Sequence, residues 1–155
     1  MRHAVAIRRL IYSVAFLLVC VDHAHAQFGV GSTWVRTDAQ GKGMTLTVEA
    51  CCNGGLRLIY QIPPTAGQPA AAPITIDSPM DGRDAPALIG GKPSGQTMAV
   101  KRIDDHHYNA VVKMNGQPFV TSTSTVSADG KTMTVETVGQ SGGNPTKTTE
   151  TWVRK

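Results

Sequence analysis

The amino-acid sequence predicts an all-β protein, an antiparallel up-and-down β-barrel of about eight strands, with a two-sheet β-sandwich as the alternative. Three observations favour this class: apolar residues alternate with polar ones, threonine and valine are abundant, and turn-forming residues separate the alternating runs. Successive side chains of a strand point to opposite faces, so the alternation indicates strands with one buried face and one solvated face. Closure into a barrel would remove the exposed edges of an open sheet.

The N-terminus has the organisation of a cleaved signal peptide. Arginines precede a short apolar run at residues 10–21, and Ala-His-Ala at 24–26 supplies the small residues that a signal peptidase requires. The run is shorter than the roughly 20 residues of a spanning helix. We therefore predict a signal peptide at 1–26, a single domain at 27–155, and a periplasmic or secreted protein with no membrane span after cleavage. A retained membrane anchor is the alternative.

Turn signals divide the rest of the chain into strands. Asn53-Gly54-Gly55 separates runs near 43–51 and 56–62. From about residue 96 to the C-terminus, the pattern predicts a meander of five antiparallel strands. Its turns are predicted at Asp104-Asp105, Asn115-Gly116, 127–130 and 139–145. Asn-Gly is the strongest of these signals, since both residues accept positive φ.

The middle of the chain is rich in proline. Residues 63–95 contain seven of the nine prolines. Proline lacks the N–H that a sheet ladder needs, so this stretch cannot be central sheet throughout. We predict a Pro-rich loop region over 63–95, in which residues 74–76 and 87–89 could form short strands.

Composition gives little support to a nucleic-acid partner. The formal net charge is +4, but part of it belongs to the predicted signal peptide. The remaining basic residues are scattered and form no cluster with aromatic residues. We expect no nucleic-acid binding.

Two tryptophan-containing segments, residues 31–34 and 152–155, stand near the ends of the predicted domain. They resemble the lipocalin–avidin (calycin) superfamily of small barrels. The resemblance implies that Trp34 packs at the closed end of the barrel and that Arg154 lies across it. Residues 96–138 are similar to small exported bacterial proteins of unknown function with a lipocalin-like barrel. Fold resemblance alone does not define function.

The sequence contains no recognisable catalytic motif. His106 and His107 follow Asp104 and Asp105 in a predicted turn, but adjacent strand residues point to opposite faces and a closed zinc site usually needs four ligands. We interpret this segment as a polar hairpin tip. No nucleophile elbow and no phosphate-binding loop is present. We therefore predict a non-enzymatic protein without a metal or other cofactor.

Cys51 and Cys52 are adjacent, and four outcomes are open for them. They could form a vicinal disulfide, pair with another chain, bind a soft metal, or stay reduced and buried. Neighbouring Cα atoms are about 3.8 Å apart, whereas disulfides prefer about 5.5 Å. On an extended strand the two side chains would diverge. The outward thiol then suggests a disulfide-linked dimer through Cys51 or Cys52.

The inward face of the predicted strands suggests a ligand pocket. Its candidate ligand-binding residues are Tyr60, Met98, Arg102, Tyr108, Met114 and Met133. Methionine adapts to irregular apolar shapes, and Arg102 would anchor a ligand carboxylate if it points inward, or be solvated if the strand is phased the other way. We predict non-catalytic binding of a small hydrophobic or amphipathic ligand. The alternative is a barrel filled by its own side chains, acting as an interaction module for another envelope protein.

Overall fold

The computed structural model describes residues 28–141 and 144–155, which form a closed antiparallel β-barrel. Its ten strands are β1 (Thr33–Arg36), β2 (Thr45–Cys51), β3 (Gly55–Gln61), β4 (Ile74–Ser78), β5 (Asp81–Ile89), β6 (Lys92–Arg102), β7 (His107–Met114), β8 (Gln117–Val126), β9 (Thr132–Ser141) and β10 (Asn144–Arg154). The predicted all-β barrel class is confirmed, with ten strands in place of about eight. The predicted signal peptide lies outside the described residues.

Each strand pairs with its neighbours in sequence, and β1 pairs with β10 to close the barrel. The five-strand meander predicted from about residue 96 corresponds to β6–β10. Asn115, in the predicted Asn-Gly hairpin between β7 and β8, has φ +50° and Gly116 has φ +79°. Positive φ at both central residues is what a type I′ hairpin turn requires.

The predicted Pro-rich loop region 63–95 is mostly strand. Residues 62–73 form the loop between β3 and β4. Strands β4 and β5 and the start of β6 occupy most of residues 74–95. Pro86 lies on the exposed face of β5, beside a register shift in its pairing with β6. An irregularity in the ladder removes the need for a hydrogen bond from proline, so the barrel accommodates this residue.

Aromatic side chains pack together around Trp34. Trp34 is fully buried, and the guanidinium carbon of Arg154 lies 5.9 Å from the centre of its ring. The Phe28 ring packs edge-on against Trp34 at 6.4 Å and against Tyr108 at 4.3 Å. The Trp34 indole N–H donates to Ser32 Oγ at 3.0 Å. The contact between Trp34 and Arg154 is the one that the calycin resemblance implies.

Candidate functional site

The lumen of the barrel contains a cavity of about 250 Å³ that is partly open to solvent. Most of its wall is apolar, as in Leu46, Leu58, Met98, Val100, Val112 and Met133. An empty cavity of about 150 Å³ lined by apolar groups can hold benzene. The lumen is therefore large enough for a small aromatic or short-chain molecule.

Four of the six predicted ligand-binding residues come together around this cavity. Tyr60, Met98, Tyr108 and Met133 line it, and they come from four different strands. Their strand alternation places all four on the inward face, because every second side chain of a barrel strand points inward.

Arg102 and Met114 are not among the cavity residues. Arg102 is the last residue of β6, and its guanidinium pairs with the Asp105 carboxylate and donates from Nε to the Asp104 carbonyl at 3.3 Å. Its side chain is 41% exposed. Met114 ends β7 and is 39% exposed. Both residues share the alternation of the inward face, but they lie at strand ends beyond the lumen.

A cluster of three charged residues beside the cavity was not predicted from the sequence. Arg36 Nε and Nη2 donate to the two Asp38 carboxylate oxygens at 2.7 and 3.0 Å. Arg36 Nη1 lies 3.1 Å from Glu150 Oε1. Glu150 Oε2 in turn accepts from the Trp152 indole N–H at 3.0 Å. Arg36 and Glu150 line the cavity together with Trp152.

The positions of Arg36 and Glu150 follow from strand periodicity. Arg36 stands two residues after the buried Trp34 on β1, and Glu150 stands two residues before the buried Trp152 on β10. A spacing of two keeps a side chain on the same face, and Arg36 is directly opposite Trp152 in the pairing of the two strands. A Cβ at Gly41 would overlap the Arg36 side chain, so the following loop packs closely on this arginine.

The ion pairs shift the titration of the cluster. The hydrogen bonds from Arg36 lower the pKa of Asp38 to about 2, and the same interaction raises the pKa of Arg36. Burial, and then the negative charge of Glu150, raise the pKa of Tyr60 to about 12. Arg36 and Asp38 therefore stay ionised at neutral pH while the Tyr60 hydroxyl stays neutral.

His106 lies in the turn between β6 and β7, and His107 is the first residue of β7. One Asp104 oxygen accepts the backbone N–H groups of His106 and His107 at 2.8 Å each, and lies 2.8 Å from His107 Nδ1. These bonds, led by the one from His106, lower the pKa of Asp104. His106 Nδ1 is 3.1 Å from the Val126 carbonyl. The segment thus has the hydrogen bonding of a turn, as interpreted from the sequence.

Cys51 and Cys52 form a vicinal disulfide, one of the four outcomes left open by the sequence. The expectation that their side chains diverge was wrong because Cys52 lies past the end of β2. Cys52 has φ +49° and Asn53 has φ +52°, so the chain has left the extended conformation there. The sulfur atoms and an Asp77 carboxylate oxygen lie within 4.8 Å of one another. Asp77 is also paired with Arg57 Nε at 2.7 Å.

We expect the protein without residues 1–26 to contain no free thiol before reduction and two afterwards, because Cys51 and Cys52 are bonded to each other. Thiol titration in denaturant, with and without a phosphine reductant, measures this directly. A covalent dimer on a non-reducing gel would contradict the intrachain bond and favour the dimer suggested by the sequence.

Comparison with known proteins gave no matching family model, no matching curated protein and no matching solved structure. The structure itself shows a closed antiparallel barrel in which Arg154 packs on Trp34. In the described part of the chain, the structure contains no helix long and apolar enough to cross a membrane.

Proposed function

We propose that this protein is an exported, lipocalin-like barrel that binds a small apolar or amphipathic molecule in its lumen without catalysis. The observation that carries the proposal is the cavity of about 250 Å³ with a mainly apolar wall and a few polar groups. Such a combination is typical of small-molecule sites, in which apolar burial supplies affinity and the polar groups fix orientation. The signal-like N-terminus supports a periplasmic or secreted location.

Native mass spectrometry of protein purified from the periplasm tests both parts of the proposal. A protein lacking residues 1–26 with a small molecule bound would support export and lumen binding together. A protein that stays in the cytoplasm with its N-terminus intact would contradict export. If no small molecule copurifies, the titrations below decide whether the lumen accepts one.

Filling the cavity should abolish binding. Ala110 lines the cavity on β7, so Ala110→Phe would place a ring in the space that a ligand occupies. We expect saturating benzyl alcohol to raise the Tm of the unmodified protein, since a ligand that binds only the folded state stabilises it. It should leave the Tm of Ala110→Phe unchanged.

The matched control for this variant is Val111→Phe, which adds a ring to the next residue on the outer face of the same strand. This variant should keep the full Tm increase with benzyl alcohol. An equal response of both variants would locate the ligand outside the lumen and contradict the proposed site.

Docking of another envelope protein is the second candidate function, and a groove on the outer wall favours it. Phe119, Val138 and Pro145 line this groove, and Val138 is 46% exposed. A photocrosslinking residue at position 138 should give a specific adduct in intact cells, whereas the same residue at the exposed position 123 should not. No adduct at 138 would remove this candidate.

A further inference from the structure

The cluster of Arg36, Asp38 and Glu150 beside the cavity contains one positive and two negative side chains. Among the described residues that line the cavity, Arg36 and Glu150 carry a formal charge. The Arg36 guanidinium also forms a two-point ion pair with Asp38. One positive and two negative groups leave the cluster with an excess of negative charge at this side of the lumen.

Glu150 keeps acceptor capacity for a ligand. Its Oε1 accepts from Arg36, and its Oε2 accepts from the Trp152 indole N–H. An ionised carboxylate offers about four acceptor positions, so two remain after these contacts. The side chain is 21% exposed, which is consistent with access from the cavity.

Aromatic rings stand beside this carboxylate. Tyr60 and Trp152 both line the cavity, and their rings meet edge to face with centroids 6.4 Å apart. The faces of tyrosine and tryptophan rings attract cations within about 6 Å. Burial, and then the negative charge of Glu150, raise the pKa of Tyr60.

We infer that the lumen selects small apolar amines over carboxylates, with the ammonium group bound at Glu150 and the apolar part against the methionine and leucine side chains. This inference rests on the proposed lumen binding and specifies its ligand class. It differs from the alternative that the sequence left open, in which an inward-pointing Arg102 would anchor a ligand carboxylate. Arg102 is outside the cavity and paired with Asp105.

Three ligands of nearly equal size and different charge test the inference: benzylamine, benzyl alcohol and benzoate, each titrated calorimetrically into the purified protein at neutral pH. We expect benzylamine to bind about tenfold more tightly than benzyl alcohol. The difference corresponds to one charge-assisted hydrogen bond between the ammonium group and Glu150. Benzoate should bind more weakly than benzyl alcohol, because its charge would face Glu150.

Two glutamate variants with the same change in net charge identify the responsible group. Glu150→Gln removes the charge at the cavity and should eliminate most of the preference for benzylamine over benzyl alcohol. Glu136→Gln removes the charge of an exposed residue on β9 that pairs with Lys147 at 3.5 Å, and should preserve the preference. Circular dichroism establishes that both variants are folded.

The outcomes separate this inference from the proposed function. Equal binding of the three ligands, or tighter binding of benzoate, would overturn the amine preference while leaving lumen binding intact. Binding of none of the three would contradict lumen binding itself. If Glu150→Gln does not fold, the order of the three ligands on the unmodified protein still decides the charge preference.

Discussion

Replacing Trp34 with alanine should lower the free energy of unfolding by about 3–5 kcal/mol, the range for a large buried aromatic side chain. Trp34 is fully buried, packs against Phe28 and lies under Arg154. Truncation would leave a cavity in the buried core and remove the hydrogen bond to Ser32 Oγ. Urea denaturation followed by circular dichroism measures the change.

Val153→Ala is the matched control for Trp34→Ala. Val153 lies on β10 beside the Arg154 that covers Trp34, but it is 39% exposed. Its truncation should change the free energy of unfolding by no more than about 0.5 kcal/mol. A loss below about 1 kcal/mol for Trp34→Ala would mean that the packing around Trp34 contributes little to the stability of the barrel.

Replacing Arg36 with methionine should cost about 3–5 kcal/mol of folding stability at neutral pH, because it leaves two carboxylates without their partner. Methionine retains much of the apolar part of the arginine side chain, so the loss of stability reflects mainly the loss of the positive charge. Asp38 and Glu150 would then face each other across the vacated position with their side chains 18% and 21% exposed.

The penalty of Arg36→Met should depend on pH with a defined sign. In the native protein Arg36 lowers the pKa of Asp38 from 3.8 to about 2, so the stabilisation by this pair is complete above 3.8 and is lost as the pH falls towards 2. In the variant, protonation relieves the repulsion between the carboxylates. The stability difference between the two proteins should therefore be largest near neutral pH and decrease as the medium becomes acidic.

Arg57→Met provides the comparison for an exposed ion pair. Arg57 and Asp77 also form a two-point contact, but their side chains are 43% and 42% exposed. Exposed ion pairs contribute little to stability because solvent screens them, so this variant should be close to the unmodified protein in urea denaturation. Equal losses of unfolding free energy in Arg36→Met and Arg57→Met would contradict the prediction that the Arg36 ion pairs contribute more to stability than an exposed pair.

The sequence predicts the β-barrel well wherever alternation is uninterrupted. The runs that became β2, β3 and β6–β10 have a period of two and turn residues between them, because each buries one face and solvates the other. Where the structure has β4 and β5, the sequence predicts only short strands at 74–76 and 87–89, because proline is normally excluded from sheet interiors. Register shifts in β5 allow Pro86 to remain on the exposed face, and such irregularities leave no clear mark in the sequence.

The candidate site was predicted only in part, because periodicity gives the face of a residue and not its depth along the barrel axis. Tyr60 and Met133 were selected correctly as residues that line the lumen. Arg102 and Met114 have the same phase but lie at strand ends. Arg36 and Glu150 were missed because charged residues are rarely buried unless paired, and the register that pairs them is a property of the closed barrel.

The most direct test of lumen binding uses the methionine methyl groups as probes of position. Met44, Met98 and Met133 line the cavity, whereas Met80 and Met114 do not. In protein labelled with carbon-13 at the methionine methyls, titration with benzyl alcohol should shift the signals of the first three residues saturably and give contacts between their methyl protons and the ligand. Saturable shifts confined to Met80 and Met114, or no saturable shift at any methionine, would contradict a ligand-binding lumen.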